Sequence, residues 1–189
     1  MTVNLKKKHF SLWIIGPSAS GKTTISKKLF IELKKNFDNL VLLDGDDARK
    51  LFIDNSGYDP ISRSNNIRKY VSMIKWLDSF EISSIVAVIN AFEKDRIFCR
   101  KEIKNFKQIY LKCGLSERIR RDKKKLYEPA LRGEKKNVVG VDIPFEDPDN
   151  DDFTVDTEKT DPDSAVKEII KKLKLLWVKK IMKKNKIVY

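Results

Sequence analysis

One stretch decides the fold of this 189-residue chain: Gly16-Pro17-Ser18-Ala19-Ser20-Gly21-Lys22-Thr23. It fits the pattern G-x-x-x-x-G-K-[ST], in which backbone N–H groups surround phosphates, the lysine reaches the β- and γ-phosphates and the hydroxyl is offered to Mg²⁺. The glycines permit a close approach of the backbone, and the positive end of a following helix attracts anions. The stretch therefore predicts a loop that binds the phosphates of Mg-ATP.

The flanking residues supply the strand and the helix that such a loop requires. Residues 10–15 form an apolar run with β-branched and aromatic members, which is typical of a buried strand. After the loop, Ile25, Leu29 and Leu33 recur at helical intervals with lysines between them. This context favours a phosphate-binding loop over a glycine-containing turn with an incidental lysine.

Apolar runs and helical patterns alternate along the rest of the chain. Further strands are predicted at 40–43, 84–89, 107–111 and 153–155, and further helices at 64–80, 93–106 and 164–184. This alternation indicates an α/β fold with a doubly wound parallel sheet of about five strands flanked by helices. Ligands of such sheets gather at the carboxyl ends of the strands, where the loop, Asp44, Asp46 and Asn90 fall. We expect the strand that ends at Asp44 to lie beside the strand that enters the loop.

Residues 116–152 differ from the rest of the chain. They are highly charged and weakly periodic, and Pro129, Gly133, Gly140, Pro144 and Pro148 interrupt any long element. In a nucleotide-dependent enzyme, such a segment predicts a mobile lid over the active site. The length of the chain fits one domain, so residues 1–189 are interpreted as a single unit that includes this lid.

Composition narrows the class of protein and leaves one alternative open. Apolar residues make up 41% of the chain, and no apolar run approaches the roughly 18 residues of a membrane span, so we expect a cytoplasmic protein without a membrane partner. The net charge is +13, and residues 167–189 hold nine lysines against Glu168. A solvated face on a helix at 164–184 explains this charge more simply than nucleic-acid binding, which remains the alternative.

Charged residues after the loop point to a phosphoryl acceptor. Asp44 and Asp46 follow a buried strand, where a carboxylate can orient or deprotonate an acceptor hydroxyl. Arginines are concentrated in the middle of the chain, and their planar guanidinium groups suit phosphate or sulfate oxygens: Arg49, Arg63, Arg68, Arg96 and Arg121. These residues favour a kinase over an ATPase or a GTPase switch, both of which share the loop.

The order of these motifs resembles the adenylylsulfate kinase family, from Leu12 to about Leu173. Beyond the loop, the resemblance rests on Leu43-Asp44-Gly45-Asp46 with Arg49, Gly57-Tyr58 with Arg63, Asn66-Ile67-Arg68, Ile89, Phe92, Asp95-Arg96, Arg121-Asp122, Leu126-Tyr127, Ala130, Asn137, Gly140-Val141-Asp142, Pro144-Phe145-Glu146 and Val155-Asp156-Thr157.

This resemblance implies an ATP- and Mg²⁺-dependent homodimeric enzyme of sulfate assimilation that phosphorylates the ribose 3′-hydroxyl of adenosine 5′-phosphosulfate. Catalysis would fall to Asp44, Lys22 and Asp46. ATP and its Mg²⁺ would be bound by Gly16, Ser18, Ala19, Ser20, Gly21, Lys22, Thr23, Thr24 and Arg121, with Thr23 on the metal. The acceptor nucleotide would be bound by Asp44, Arg49, Tyr58, Arg63, Asn66, Arg68, Ile89, Asn90, Lys124, Leu126 and Val138, with Tyr58 stacked on its base.

Departures from the family pattern fall on the acceptor side. Asn90-Ala91 stands where the family has Ser-Pro, so a phosphoserine intermediate is excluded, although direct transfer does not need one. Val138 replaces a second base-stacking aromatic residue. The same 3′-kinase chemistry on another nucleotide, such as cytidine diphosphoramidate, is therefore the first alternative. Residues 123–125 are lysines where the family has Pro-Lys-Gly, which predicts a less tightly turned lid.

Overall fold

The structure is a computed structural model, and it describes residues 9–52 and 57–185, with side chains described as far as residue 173. Its centre is a five-stranded sheet in which every pairing is parallel and the strand order is β2-β3-β1-β4-β5. The strands are β1 (Ser11–Ile15), β2 (Leu40–Asp44), β3 (Ser83–Val88), β4 (Phe106–Lys112) and β5 (Phe153–Asp156). The predicted doubly wound α/β fold is confirmed.

Helices connect the strands and cover both faces of the sheet. They are α1 (Lys22–Lys34), α2 (Gly45–Leu51), α3 (Pro60–Ser79), α4 (Glu93–Glu102), α5 (Leu115–Arg120), α6 (Tyr127–Leu131) and α7 (Pro162–Asn185). Sequence periodicity did not predict α2, α5 and α6, because none of them exceeds seven residues and two turns are too few to show a repeat. The predicted helix at 93–106 ends four residues early, and Phe106 begins β4.

The alternation of side chains along β1 divides the core into two layers. Leu12 and Ile14 pack on one face against residues of α1 and α7, whereas Trp13 and Ile15 pack on the other face against α3 and α4. All four side chains have no exposed surface. Truncating a buried aromatic side chain such as Trp13 typically costs about 3–5 kcal/mol of stability. The strand that carries the phosphate loop is thus held from both sides.

The expected neighbour of β1 is wrong. β3 lies between β1 and β2, so Asp44 is separated from the loop strand by one intervening strand. In the register of the sheet, Asp44 is level with Ala87, which is level with Ile14. Asp44 nevertheless reaches the start of α1, where its Oδ2 accepts from the Thr23 hydroxyl at 2.6 Å.

The predicted basic helix near the carboxyl-terminal end lies partly outside the described residues. The predicted helix at 164–184 is present as α7, but the side chains from residue 174 onward lie outside the described residues. The basic surface expected there, and with it the nucleic-acid alternative, therefore falls outside the description. Within the described residues, no helix combines the length and the apolar character needed to cross a membrane.

Candidate active site

The phosphate loop connects the carboxyl end of β1 to the start of α1. Gly16 is required by its surroundings, since a Cβ there would come within 2.7 Å of the Ser20 hydroxyl and 2.8 Å of the Leu111 carbonyl oxygen. Gly21 is the N-cap of α1 in a left-handed conformation, and no side chain caps this helix end. The uncapped N–H groups of α1 are therefore available to an anion at the positive end of the helix.

Lys22 lies at the first position of α1 with its ammonium folded back over the loop. Its Nζ donates to the Pro17 carbonyl oxygen at 2.6 Å. Burial lowers the pKa of Lys22 from 10.5 to about 8, although the nearby carboxylates of Asp44 and Asp46 act in the opposite direction. The residue is thus a half-buried cation whose charged form would be stabilised by a bound polyphosphate.

Asp44 ends β2 and links the loop to the acceptor side. Its Oδ2 accepts from the Thr23 hydroxyl at 2.6 Å, and its Oδ1 accepts from the Asp46 backbone N–H at 3.0 Å as the N-cap of α2. Asp46 is exposed and forms an ion pair with Lys124 of the predicted lid segment. The carboxylate of Asp44 is therefore fixed beside the loop rather than free in solvent.

The Thr23 and Asp44 oxygens suit a magnesium ion that arrives with a nucleotide. Mg²⁺ prefers oxygen ligands and, in kinases, takes one or two from the protein and the rest from phosphates and water. No group of three or more histidine, cysteine or acidic residues that could hold a metal by itself occurs within residues 9–52 and 57–173. The donor set fits a nucleotide-borne Mg²⁺ rather than a metal held by the protein alone.

Tyr58 forms the centre of the acceptor side, between two arginines. The Arg49 guanidinium lies 4.5 Å from the centroid of the Tyr58 ring, and that of Arg63 lies 5.6 Å away. Arg63 also donates to the carbonyl oxygens of Tyr58 at 2.7 Å and of Asn137 at 2.8 Å. Burial and the neighbouring Arg49 charge lower the pKa of Arg63 to about 10. Two guanidinium groups placed this close make a site that favours an anion.

Two buried amide side chains line the same space. Asn66 is 2% exposed, and neither its amide nitrogen nor its amide oxygen has a hydrogen-bond partner among the described residues. Asn90 is 4% exposed with φ at 37°, and Nη1 of the buried Arg96 donates to its carbonyl oxygen at 3.1 Å. Asparagine tolerates this left-handed conformation better than most residues, which gives Asn90 a structural reason to follow β3.

A cavity of about 680 Å³ joins the phosphate loop to the arginines around Tyr58. Its lining includes these sequence-predicted residues: Ser18, Ala19, Gly21, Lys22, Thr23, Thr24, Asp44, Asp46, Arg49, Tyr58, Arg63, Asn66, Ile89, Asn90, Arg121, Lys124, Leu126 and Val138. Gly16 and Ser20 are outside the lining, and the Ser20 side chain is fully buried. Arg68 is also outside it.

Arg68 pairs with a buried residue to which the sequence assigned no site role. Asp95 is 1% exposed, lines the cavity, and pairs with Nη1 of Arg68 at 3.4 Å while accepting from the Ser64 hydroxyl at 2.6 Å. The pair fixes α3 against α4. Burying a carboxylate without such partners is energetically costly. The segment Asp95-Arg96, which matches the family, was the sequence signal that could have pointed to Asp95.

The lid segment turns at residues 123–125, and one of these lysines has a left-handed backbone conformation. Lys125 adopts φ of 50°, the left-handed region that favours glycine. The Asp122 carboxylate accepts from the backbone N–H groups of Lys124 at 3.2 Å, Tyr127 at 2.8 Å and Leu126. Asp122 thus holds the backbone of the three lysines, and the looser turn inferred from the missing proline and glycine stays a prediction.

These features define a class of protein. A phosphate loop at the carboxyl edge of a parallel sheet of order 2-3-1-4-5, with a carboxylate beside it and an anion-favouring pocket opposite, is the arrangement of a P-loop kinase. The chain is thus a nucleotide-dependent phosphotransferase.

Comparison with known proteins gives the family. Residues 8–156 match the adenylylsulphate kinase family. A probable adenylyl-sulfate kinase of Archaeoglobus fulgidus is 40% identical over 152 residues, which cover 80% of this chain and 98% of that protein. The cytidine diphosphoramidate kinase of Campylobacter jejuni is 37% identical over 171 residues, covering 90% and 100% of the two chains. This chain belongs to the adenylylsulfate kinase family.

A solved structure agrees with this assignment. The APS kinase of Mycobacterium tuberculosis, determined in complex with AMPPNP and APS, superposes with a TM-score of 0.81 at 26% sequence identity. The match covers 88% of this chain and 98% of that chain. The resemblance inferred from the motifs is confirmed, and the likeness to a complex with AMPPNP supports binding of an ATP-type nucleotide.

Proposed function

We propose that this protein transfers the γ-phosphate of ATP to the ribose 3′-hydroxyl of adenosine 5′-phosphosulfate. The observation that carries the proposal is the cavity that runs from Lys22 and Thr23, past Asp44, to the paired guanidinium groups of Arg49 and Arg63. Its two ends are positively charged and its middle holds a carboxylate. This arrangement suits a polyphosphate donor at one end and an anionic nucleotide acceptor at the other.

The donor end acts on the triphosphate. The N–H groups of the loop and of α1 bind the phosphate oxygens, and the Lys22 ammonium offsets charge on the transferring group. Thr23 and Asp44 would hold Mg²⁺, which supplies further charge neutralisation at the phosphates when bound. Because transfer is mostly a matter of positioning and electrostatics, these groups account for the donor half of the chemistry.

The acceptor end orients the nucleotide and its hydroxyl. Tyr58 is 58% exposed, so its ring offers a face on which a base can stack. Arg49 and Arg63 bind the 5′ anionic group beside that ring. Asp44 then accepts the proton of the attacking hydroxyl, a role that its fixed position next to Thr23 supports.

A second candidate acceptor is cytidine diphosphoramidate. Val138 is a buried aliphatic side chain of the cavity, and an aliphatic side chain cannot stack on a purine as an aromatic would. Asn90 occupies the position after Ile89 where the family has serine. A relative named for the cytidine substrate matches 90% of this chain over its own full length. These observations favour the same 3′-kinase chemistry on a smaller base.

A panel of acceptors separates the two candidates. ADP release from Mg-ATP is measured with adenylylsulfate, with cytidine diphosphoramidate and with AMP as a matched nucleotide that lacks the sulfate. We expect adenylylsulfate to give the highest kcat/KM. Faster turnover of the cytidine nucleotide would transfer the assignment to the second candidate. A rate of ADP release that no acceptor increases would refute kinase activity on both.

The proposal includes two further features of the enzyme. We infer that residues 116–152 open and close over the cavity as a lid within a single 1–189 domain, and that two chains pair as a homodimer. Light scattering should then give twice the mass of one chain in solution, and a mass equal to one chain would remove the dimer from the proposal.

A further inference from the structure

Arg118 is a buried cation that the proposed reaction does not use. It lies on α5 and is 8% exposed, and its Nη1 donates to the Tyr127 hydroxyl at 3.0 Å. Its guanidinium also lies 5.2 Å from the centroid of the Tyr127 ring. Among the described residues no carboxylate pairs with Arg118, and its Nε has no hydrogen-bond partner. A buried charge without a counterion is costly, so its retention calls for a reason.

The backbone around Arg118 is shaped to admit the guanidinium. Gly140 passes so close that a Cβ at this position would clash with Nη1, and φ of Gly140 is +90°. The conformation therefore favours glycine here, and a Cβ would displace the guanidinium. Gly140, the first residue of the matched segment Gly140-Val141-Asp142, thus accommodates Arg118.

Tyr127 carries the contact from Arg118 to the phosphate loop. Its side chain is fully buried, and its hydroxyl donates to the Ser18 carbonyl oxygen at 2.8 Å. Arginine can only donate, a carbonyl can only accept, and a phenol has one hydrogen, so the order Arg118 to Tyr127 to Ser18 has a fixed direction. Consecutive hydrogen bonds of this kind polarise one another inside a protein.

The Ser18 carbonyl in turn fixes the next N–H group. In a planar trans peptide the C=O and N–H bonds point in opposite directions. Since the Ser18 oxygen is held toward Tyr127, the Ala19 N–H points the other way, and Ala19 lines the cavity. Ala19 has φ of 60°, which is unfavourable for a residue with a Cβ, and it packs against the cluster of Tyr127, Ala130 and Val138.

We propose that Arg118 and Tyr127 are positioning residues for ATP: they aim the Ser18–Ala19 peptide of the loop at the phosphates and place an uncompensated positive charge behind it. A bound triphosphate supplies the missing counter-charge. This role concerns the donor half of the site and does not depend on the identity of the acceptor.

Direct binding of Mg-ATP to the whole protein tests this role without any acceptor. Tyr127→Phe removes the hydroxyl and keeps the ring, and we expect it to weaken binding in a calorimetric titration by about tenfold. Arg118→Met should weaken it at least as much, and Arg118→Lys should restore part of the loss because it keeps the charge. The matched control is Arg120→Met on the same helix, since Arg120 is 72% exposed and pairs with Glu117.

A role limited to folding predicts a different pattern. In that case the substitutions would lower the thermal midpoint and leave the dissociation constant for Mg-ATP of the folded protein unchanged. In the positioning role, they raise both this dissociation constant and KM for ATP, while KM for the acceptor stays constant. Unchanged Mg-ATP binding by Tyr127→Phe, or an equal loss in Arg120→Met, overturns the proposal. If Arg118→Met fails to fold, Tyr127→Phe decides. Because no acceptor is present, failure of the acceptor panel leaves this test intact.

Discussion

Lys22 illustrates how a single residue couples burial to nucleotide binding. Its pKa is lowered to about 8 by burial, so in the free enzyme the ammonium loses its proton as the pH rises through this value. The unfolded chain then holds more protons between pH 8 and 10.5, and the contribution of Lys22 to the stability of the ligand-free fold increases across that window. Phosphate binding has the opposite requirement, since it needs the charged form.

A pH profile measures this conflict. We expect kcat/KM for ATP to be constant below pH about 8 and to fall by about tenfold per pH unit above it, because the competent fraction of the enzyme falls with the ammonium. The Lys22→Met variant should show a low rate without this inflection. If kcat/KM for ATP of the wild type stayed constant up to the pH at which an ordinary lysine loses its proton, the role of Lys22 in the free enzyme would be contradicted.

At the scale of elements, the turn between α5 and α6 depends on one carboxylate. Asp122 accepts from backbone N–H groups of the turn, while Lys125 is held at a positive φ. Replacing Asp122 with alanine leaves those N–H groups without their partner, which should lower the free energy of unfolding by about 1–2 kcal/mol. The loosened lysines at 123–125 should become faster sites for trypsin.

The control for this change is Asp149→Ala, which removes an exposed carboxylate from the end of the same lid segment. It should leave both the thermal midpoint and the rate of tryptic cleavage within error of the wild type. Equal cleavage rates in Asp122→Ala and the wild type would show that the turn is held by other contacts.

At the scale of the whole molecule, the sequence predicted the features that leave a local pattern, either a repeat of apolar residues or a motif. The buried strands appear as apolar runs and the loop as a fixed spacing, so the sheet and the donor half of the site follow from local patterns. Strand order does not, because it is decided by long-range packing, and β3 was misplaced relative to Asp44. Arg68, which the resemblance assigned to the acceptor nucleotide, pairs with the buried Asp95, and a sequence shows a charge but not its partner. The role proposed for Arg118 and Tyr127 depends on the hydrogen bond from Tyr127 to Ser18, which no local sequence pattern predicts.

In the proposed reaction, the phosphate moves from ATP to a nucleotide 3′-hydroxyl with Asp44 as the base. The most direct measurement follows the γ-phosphate of labelled ATP into adenylylsulfate and locates it on the product by phosphorus NMR. We predict one labelled phosphate at the 3′ position for each ADP formed, a rate lower by about a hundredfold in Asp44→Asn, and no loss in the exposed control Asp47→Asn. Label released as free phosphate, or an Asp44→Asn enzyme as fast as the wild type, would contradict this account.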